Sequence, residues 1–478
     1  MWLKMLQRAV VTSATHEAGQ EYQRPGCHEG TRLAVLQRLL DWLLGNIDPH
    51  ATFLWLYGDA GAGKSSIGQT FAVNCAQQRR LLASFFFWRD DPRRSTHTTL
   101  MATLLDQSIT VVPALRPLVA AALERDPSIL QKHLGLQIKS LLVEPINDLL
   151  STDGFDGSSI PGLILIDGLD ECSGANHQCS ILNALVEALP RCRHTIRVLV
   201  ASRPELEIKA AFNANPLLHI ASRVALDASF KPDADIRKFL VHTFEQIRYN
   251  HPIGAFIPVT WPSSAVITTL VNRSSGQFIF ASTIGKYVAD PARRPTEQLE
   301  IILAVRPAPT DANMPYTELN ALYTHVLSRV PSHKIEMALD ILLYVTIIRP
   351  QLLLQLENLS SMPIDDDWPD LRPGQFPTGC NDLTKLLFLS PSDLVFYLAE
   401  LSSLVGVHVG IGEGLDVGIA HASLGDFLLD PHRSKGFYRD SPTFISKVLC
   451  NYINHQSFSR NGVYFNQMHL YAIRLTRS

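Results

Sequence analysis

Residues 53–72, FLWLYGDAGAGKSSIGQTFA, decide the fold of this chain of 478 residues. The apolar run from Phe53 to Tyr57 is typical of a short strand buried on both faces of a parallel sheet. Residues 58–65, GDAGAGKS, match the pattern G-x-x-x-x-G-K-[ST] in full, with an additional glycine at Gly61. The remainder of the stretch reads as a helix. A strand, this glycine-rich loop and a helix, in that order, predict a P-loop that binds a nucleoside triphosphate.

The chemistry of a P-loop explains these residue types. Glycines let the backbone wrap around the phosphates, so that its N–H groups converge on oxygen atoms. Lys64 places a positive charge on the β- and γ-phosphates, Ser65 supplies a hydroxyl to Mg²⁺, and the N-terminus of the next helix faces the anion. The sequence leaves open whether the nucleotide is ATP or GTP. We expect nine consecutive residues to bind it: Gly58, Asp59, Ala60, Gly61, Ala62, Gly63, Lys64, Ser65 and Ser66.

A second apolar run, Leu163 to Ile166, is followed at once by acidic residues. In a doubly wound sheet the carboxyl ends of the strands face the ligand crevice, which places Asp167 where it holds Mg²⁺ together with Ser65. Asp170 and Glu171 follow, and one of them would orient or deprotonate an attacking water. The alternative interpretation is a strand that ends in an ordinary acidic turn.

The third run, Ile196 to Ala201, ends in Ser202 and Arg203. We expect Ser202 or Arg203 to sense the γ-phosphate, because a guanidinium offers fixed donors to phosphate oxygens. The alternative is that Arg203 pairs with a nearby glutamate in the same loop, Glu205 or Glu207.

Strands and helices alternate from Leu54 to about Ile220, which predicts an α/β fold with a doubly wound parallel sheet. A surface loop is expected over 151–161, STDGFDGSSIP. The predicted strands are Thr52–Tyr57, Ser84–Trp88, Leu163–Ile166 and Ile196–Ala201, and the predicted helices include Ser65–Gln78, Thr98–Ile109 and Cys179–Leu189.

The pattern becomes helical from Asp233 to about Val305, and a proline-rich linker is expected at Pro307, Pro309 and Pro315. Helices resume over 316–356, followed by a polar, proline-rich loop over 360–378. Val405–Gly410 and Val417–Ala420 then read as a hairpin. Helices followed by a hairpin and another helix predict a winged-helix module from about 317 to 435.

The composition narrows the classes of function. Hydrophobic residues make up 46 % and charged residues 18 %, which is a globular composition, and the length predicts about three domains. A net charge of −3 gives no electrostatic footprint for nucleic acid. Seven scattered cysteines fit reduced thiols in the cytoplasm, and no apolar stretch reads as a transmembrane helix. Residues 1–16 read either as a weak transit peptide or, as we favour, as a short amphipathic helix or arm.

Together these motifs resemble a known family. The P-loop, the strand LILIDGLDEC and the strand VLVASRPE are similar to those of NACHT-type NTPases of the STAND class, including their Walker A and Walker B motifs. The closest resemblance is to fungal NACHT proteins whose core is also described as a nephrocystin-like N-terminal domain. Further matching segments occur in the expected order: CHEGTR at 27–32, SFFFWR with Arg94, Thr103 with Gln107, GQFIFA at 276–281, Leu319 with Leu322 and Tyr323, and IAHASLGDFL at 419–428.

The resemblance implies a regulatory switch with slow or no hydrolysis, in which the nucleotide lies between the P-loop domain and the winged helix. His421 would contact the bound diphosphate, although a histidine in the core beside the hairpin is the plainer interpretation. A protein partner, or self-association on activation, is also implied. The implied domains are an N-terminal arm (1–30), a NACHT domain (31–226), a helical domain (227–310), a winged-helix-like domain (311–435) and a C-terminal tail (436–478).

Two features depart from the family. Asp59 stands where an uncharged residue is usual, so we expect it to point outward or to weaken phosphate binding slightly. The effector domain and repeat array that many members carry have no counterpart in the sequence, so we expect a minimal member or a truncated form. Three other functions stay open: an ATPase that remodels a substrate, a small-molecule kinase, and a scaffold with a relic nucleotide site.

Overall fold

The computed structural model divides the chain into two compact units, Met1–Phe239 and Leu240–Ser478. The predicted boundaries at 226/227, 310/311 and 435/436 stay predictions. The residues that the structure describes are 2–19, 25–91, 93–307, 316–348, 387, 389–409 and 415–456.

A parallel sheet of five strands forms the centre of the first unit, in the order β2-β3-β4-β1-β5. Side chains of β1 alternate between two hydrophobic clusters: Phe53 and Trp55 belong to one, Leu54 and Leu56 to the other. Both faces of the sheet are therefore buried, which explains the continuous apolar runs and confirms the predicted fold class. The strands are β1 (Phe53–Tyr57), β2 (Leu81–Phe86), β3 (Leu163–Asp167), β4 (Arg197–Ser202) and β5 (Ala221–Ala225).

Helices cover the two faces of this sheet. A π-helical turn, Lys139–Val143, joins α6 to α7, and the predicted loop over 151–161 contains only a short 3₁₀ turn. The last helix, α11, begins in the first unit and continues into the second. The helices are α1 (Trp2–Ala9), α2 (Leu33–Leu43), α3 (Lys64–Gln77), α4 (Leu100–Val111), α5 (Arg116–Arg125), α6 (Leu134–Ile138), α7 (Glu144–Leu150), α8 (Ala175–Ala188), α9 (Leu206–Asn213), α10 (Leu217–Ile220) and α11 (Pro232–Asn250).

Two strands differ from the predictions. The strand predicted at Ser84–Trp88 begins earlier, at Leu81, and the main-chain N–H of Trp88 instead donates to the carbonyl of Arg94 in the following loop. The aromatic residues 85–88 therefore lie at the end of β2 and just beyond it. The strand β5 was not predicted, because its residues ASRVA are alternately buried and half-exposed or exposed and contain no apolar run. It pairs with β1 at one edge of the sheet.

The N-terminal segment packs against the opposite edge of the sheet. Residues 2–9 form an amphipathic helix, and Leu6 is buried in the core. The choice of an arm over a transit peptide stays a prediction. The N–H of Val11 donates to Thr103 Oγ1 (3.0 Å). Across the same edge, the Gln107 side-chain amide bonds both the N–H and the carbonyl of Ser84, at 3.0 and 2.8 Å. Gln107 thus pairs backbone groups of Ser84 at the open edge of β2, and Thr103 holds the N-terminal segment beside it.

The second unit is mainly helical. Its strands β6 (Val405–Val409) and β7 (Leu415–Ile419) pair antiparallel, which confirms the predicted hairpin. The winged-helix assignment stays a prediction, and Pro309, Pro315 and the loop over 360–378 lie outside the described residues. The helices are α12 (Ser264–Ser274), α13 (Phe278–Val288), α14 (Pro295–Ala304), α15 (Thr317–Ser328), α16 (Ser332–Leu343), α17 (Pro391–Leu398), α18 (Ala422–Leu428), α19 (Pro431–Ser434) and α20 (Ser441–Gln456).

None of the helices within the described ranges combines the length and the apolarity that a membrane crossing requires.

Candidate nucleotide-binding site

The register of the sheet brings the ends of three strands to one level. Tyr57 at the end of β1 is paired with Ser202 of β4, and Asp167 of β3 is paired with Ala201. The residues that follow these strands therefore meet at the carboxyl edge of the sheet, where doubly wound folds bind their ligands. The predicted P-loop, the acidic residues and Arg203 all emerge at this edge.

The P-loop needs glycine at two of its positions. Gly61 and Gly63 have φ values of 78° and 91°, a left-handed conformation that side chains other than glycine rarely adopt. Helix α3 begins directly after Gly63, at Lys64. The loop therefore ends at the N-terminus of a helix, where backbone N–H groups and the helix dipole favour an anion.

Lys64 lies at the centre of the charged groups. Its ammonium donates to the carbonyls of Gly58 (2.7 Å) and Asp59 (2.9 Å). Desolvation lowers the pKa of Lys64, the neighbouring Asp170, Asp167 and Glu171 oppose that shift, and Arg203 adds to it. The charges of Asp167, Asp170, Glu171 and Arg203, at or after the ends of β3 and β4, therefore all act on the lysine.

Asp167 is fully buried at the end of β3. A Cβ atom built on Gly68 would lie 3.4 Å from Asp167 Oδ1, so the carboxylate faces the first turns of α3. Ser65 lies on the first turn of the same helix. A carboxylate and a hydroxyl are oxygen ligands of the kind that Mg²⁺ prefers, so these residues fit a nucleotide-bound metal ion.

Asp170 and Arg203 form a nearly dry ion pair. The Arg203 main-chain N–H donates to Asp170 Oδ1 (3.0 Å), and Arg203 Nε lies 3.2 Å from Asp170 Oδ2. The Asp170 side chain is 3 % exposed and that of Arg203 is 18 % exposed. Asp170 was named by neither sequence interpretation as the partner of Arg203. Its carboxylate is therefore engaged in holding the arginine that follows β4.

Glu171 differs from its neighbour. It is half-buried, and its Oε2 accepts the main-chain N–H of Arg89 at 3.2 Å. The hydroxyl of Ser202, by contrast, is fully buried and accepts the indole N–H of Trp55 at 2.8 Å. Of these two candidates at the end of β4, Arg203 is thus the better placed for a phosphate, because Ser202 is committed to the packing of β1 against β4.

Sequence reasoning missed the role of Arg32. Its guanidinium donates from Nη2 to the carbonyl of Ala62 in the P-loop at 2.6 Å, and the residue is 4 % exposed. The available signal was its place at the end of the segment CHEGTR, which matches the resembled family. Nothing in that segment indicates a partner that lies thirty residues further along the chain.

His421 belongs to the second unit, where it caps a helix. It precedes α18, and its Nδ1 accepts the N–H of Ser423 at 3.1 Å. The Ser423 hydroxyl also contacts this nitrogen, at 2.7 Å, and the hydroxyl of buried Tyr323, at 2.8 Å. The structure therefore gives His421 a local role at a helix end. Its predicted contact with a diphosphate stays a prediction.

Residues 30–203 match the family model described as Nephrocystin 3, N-terminal. The match begins two residues before Arg32 and ends at Arg203, so it contains the P-loop and the acidic residues as well. This segment is similar to a nephrocystin-like P-loop NTPase domain. Within this segment, Ser65 and Asp167 fit the divalent metal ion that accompanies a nucleotide in P-loop domains.

Several solved structures are similar over most of the chain at low identity. A Walker-type ATPase of Pyrococcus abyssi is 14 % identical, with 84 % of this chain and 97 % of that chain covered and a TM-score of 0.37. The ORC2 protein of Aeropyrum pernix is 12 % identical, with 92 % and 97 % covered and a TM-score of 0.33. A STAND protein of Pyrococcus horikoshii with a tetratricopeptide repeat sensor is 14 % identical, with 90 % and 47 % covered and a TM-score of 0.38. A comparison with curated proteins finds no match.

Proposed function

We propose that this chain is a regulatory switch of the STAND type that binds ATP or GTP with Mg²⁺ and hydrolyses it slowly or not at all. The observation that carries the proposal is the ion pair between Asp170 and Arg203, close to Lys64. Asp170 holds Arg203 beside the P-loop. Because the arginine is charged and close to the nucleotide site, it can respond to the charge of a bound nucleotide.

Binding would rest on residues 58–66. The ammonium of Lys64 would exchange its bonds to the carbonyls of Gly58 and Asp59 for bonds to phosphate oxygens. Ser65 and Asp167 would hold Mg²⁺, which neutralises phosphate charge when it is bound. Asp59 adds a negative charge to the loop and would reduce the affinity slightly.

Hydrolysis would depend mainly on Glu171. Both carboxylates of the acidic pair were candidates to orient or deprotonate water, but Asp170 is occupied by two contacts to Arg203. Glu171 is the more exposed of the two and can accept a proton from water. A site that retains one such carboxylate and commits the other to an arginine is consistent with slow turnover.

Switching requires that the triphosphate and diphosphate states favour different conformations, since a ligand shifts an equilibrium only through its differential affinity. Arg203 supplies this difference if it leaves Asp170 for the γ-phosphate. The contact of His421 with a diphosphate belongs to the proposal through the family resemblance alone, as do a protein partner or self-association. The proposal also includes a cytoplasmic location and no binding of nucleic acid.

The test is to measure nucleotide affinity and steady turnover on the wild type and on Lys64→Ala with Mg²⁺. Lys209→Ala is a matched control, because Lys209 is an exposed lysine of α9 in the same unit. Binding that is lost only in Lys64→Ala, with turnover far below about 1 s⁻¹, is the expected result. Turnover at or above that rate would favour an ATPase that remodels a substrate. No binding by the wild type would leave a scaffold with a relic site.

A further inference from the structure

The segment that ends at Arg32 contacts both the P-loop and the helix α11. The Arg32 guanidinium donates to the Ala62 carbonyl at 2.6 Å, and its main-chain N–H donates to Asp235 Oδ2, in the first turn of α11, at 3.0 Å. Two residues earlier, the carbonyl of Gly30 accepts a hydrogen bond from Lys238 Nζ, one turn further along that helix, at 3.0 Å. One short segment therefore connects the nucleotide-binding loop to α11.

The bond to Ala62 fixes the direction of a peptide group inside the P-loop. In a trans peptide the carbonyl of one residue and the N–H of the next point in opposite directions. A donor that holds the Ala62 carbonyl on one side therefore turns the N–H of Gly63 toward the other side. Arg32 also packs closely there, because a Cβ atom on Gly63 would lie 3.7 Å from Arg32 Nη2. Any rearrangement of this peptide changes the position of the guanidinium.

Arg32 is held under unusual conditions. Its φ of 59° is left-handed, which costs free energy in a residue other than glycine, and its side chain is buried. Desolvation lowers the pKa of Arg32, and the negative charge of Asp235 opposes that shift. Buried charges are normally paired, and strained backbone is concentrated at sites of function and switching. Both features indicate that Arg32 has a role beyond preceding the first residue of α2.

Helix α11 leads out of the first unit. It begins at Pro232 and runs without interruption past the boundary between Phe239 and Leu240 to Asn250. Its first two turns hold Asp235 and Lys238, which make polar contacts with the segment ending at Arg32. A change at the P-loop therefore has a short, polar route to the helix that joins the two units.

We propose that Arg32 is a positioning residue that couples the nucleotide state of the P-loop to helix α11 through Asp235. This inference rests on the proposed nucleotide switch and adds its transmission. Arg32 acts through the Ala62–Gly63 peptide and does not itself touch the reacting atoms. A purely structural role would predict a loss of stability that is the same in every nucleotide state.

The test follows hydrogen exchange of the amides in α11 with a non-hydrolysable triphosphate, with a diphosphate and without nucleotide. It compares the wild type with Arg32→Lys, Asp235→Ala and Asp233→Ala. Asp233 is a matched control, since it is an exposed aspartate in the same first turn of α11. Affinity is measured in parallel. Arg32→Lys keeps the charge but shortens the reach, so nucleotide affinity should fall roughly tenfold.

In the wild type and in Asp233→Ala, we expect exchange in α11 to differ between the two nucleotides. In Asp235→Ala this difference should be lost, while affinity changes by no more than about threefold because the bond to Ala62 is retained. A difference that persists in both Asp235→Ala and Arg32→Lys would overturn the coupling alone. A wild type that binds both nucleotides with identical exchange in α11 would overturn the proposed switch as well.

Discussion

The carboxyl edge of the parallel sheet and the helix end at His421 both carry side chains that we assign to phosphate recognition, but they hold them differently. At the sheet edge, Lys64 lies among several opposite charges, and Asp170 holds Arg203 in a nearly dry pair. At the other site, the imidazole of His421 accepts a backbone N–H and caps α18. The fold itself does not require the charged groups at the sheet edge, so their arrangement indicates a chemical role. The second has a complete structural explanation of its own.

This difference shows that the P-loop motif is stronger evidence for phosphate binding than the histidine motif. A P-loop binds phosphate through its backbone N–H groups, because the glycines that permit the loop conformation also let these groups converge on an anion. A histidine at the start of a helix satisfies a local need whether or not a nucleotide reaches it. Substitutions at the two sites should therefore differ in which property they change.

The largest effect is expected for Glu171→Gln. Removing the general base should lower single-turnover hydrolysis by roughly 100-fold and leave nucleotide affinity nearly unchanged. Asp170→Asn should lower turnover less, because Asp170 is engaged with Arg203. Rapid-quench measurement of phosphate release by the two variants compares them directly. A larger loss in Asp170→Asn than in Glu171→Gln would reverse the roles of the two carboxylates.

Asp167→Asn should weaken nucleotide binding in the presence of Mg²⁺ by roughly 10- to 100-fold, because an amide is a poorer ligand for a hard cation than a carboxylate. The substitution nearly preserves the volume of a fully buried side chain, which limits its effect on packing. Titration of a fluorescent nucleotide with Mg²⁺ and with EDTA measures the effect. An equal loss of affinity under both conditions would show that Asp167 does not act through the metal.

The smallest effects are expected at His421. His421→Ala removes the cap of α18 and should cost about 1 kcal/mol of unfolding free energy, whereas His421→Asn retains a good capping residue. If the imidazole also contacts a diphosphate, both variants should lose a few-fold in diphosphate affinity. Urea unfolding and diphosphate titration separate the two roles. Unchanged affinity in both variants would leave His421 as a capping residue alone.

The sequence predicted the centre of the sheet well. The observed bounds of β1, β3 and β4 lie within one residue of the predicted ones at each end, because strands buried on both faces produce continuous apolar runs. The two edge strands, β2 and β5, were predicted less accurately. The strand β2 was shifted toward its aromatic end, and β5 was missed because it pairs on one side and is only partly apolar.

The site shows the same limit. The residue types at Lys64, Asp167 and Arg203 and their meeting at one edge of the sheet were readable, since the carboxyl ends of parallel strands lie at the same edge. The partners of Arg203 and Arg32 were not readable. Asp170 lies 33 residues from Arg203, and Ala62 lies 30 residues from Arg32. Each of these polar groups had several possible partners, and only the packing of the fold decides between them.

The most direct test of the account compares triphosphate and diphosphate affinities in the wild type and in Arg203→Ala, with Arg191→Ala, an exposed arginine of the same unit, as the control. If Arg203 moves from Asp170 to the γ-phosphate, the variant should lose roughly tenfold in affinity for a non-hydrolysable triphosphate and little for the diphosphate. Equal changes for both nucleotides, or no change for either, would contradict the account, because Arg203 would then not distinguish the two states.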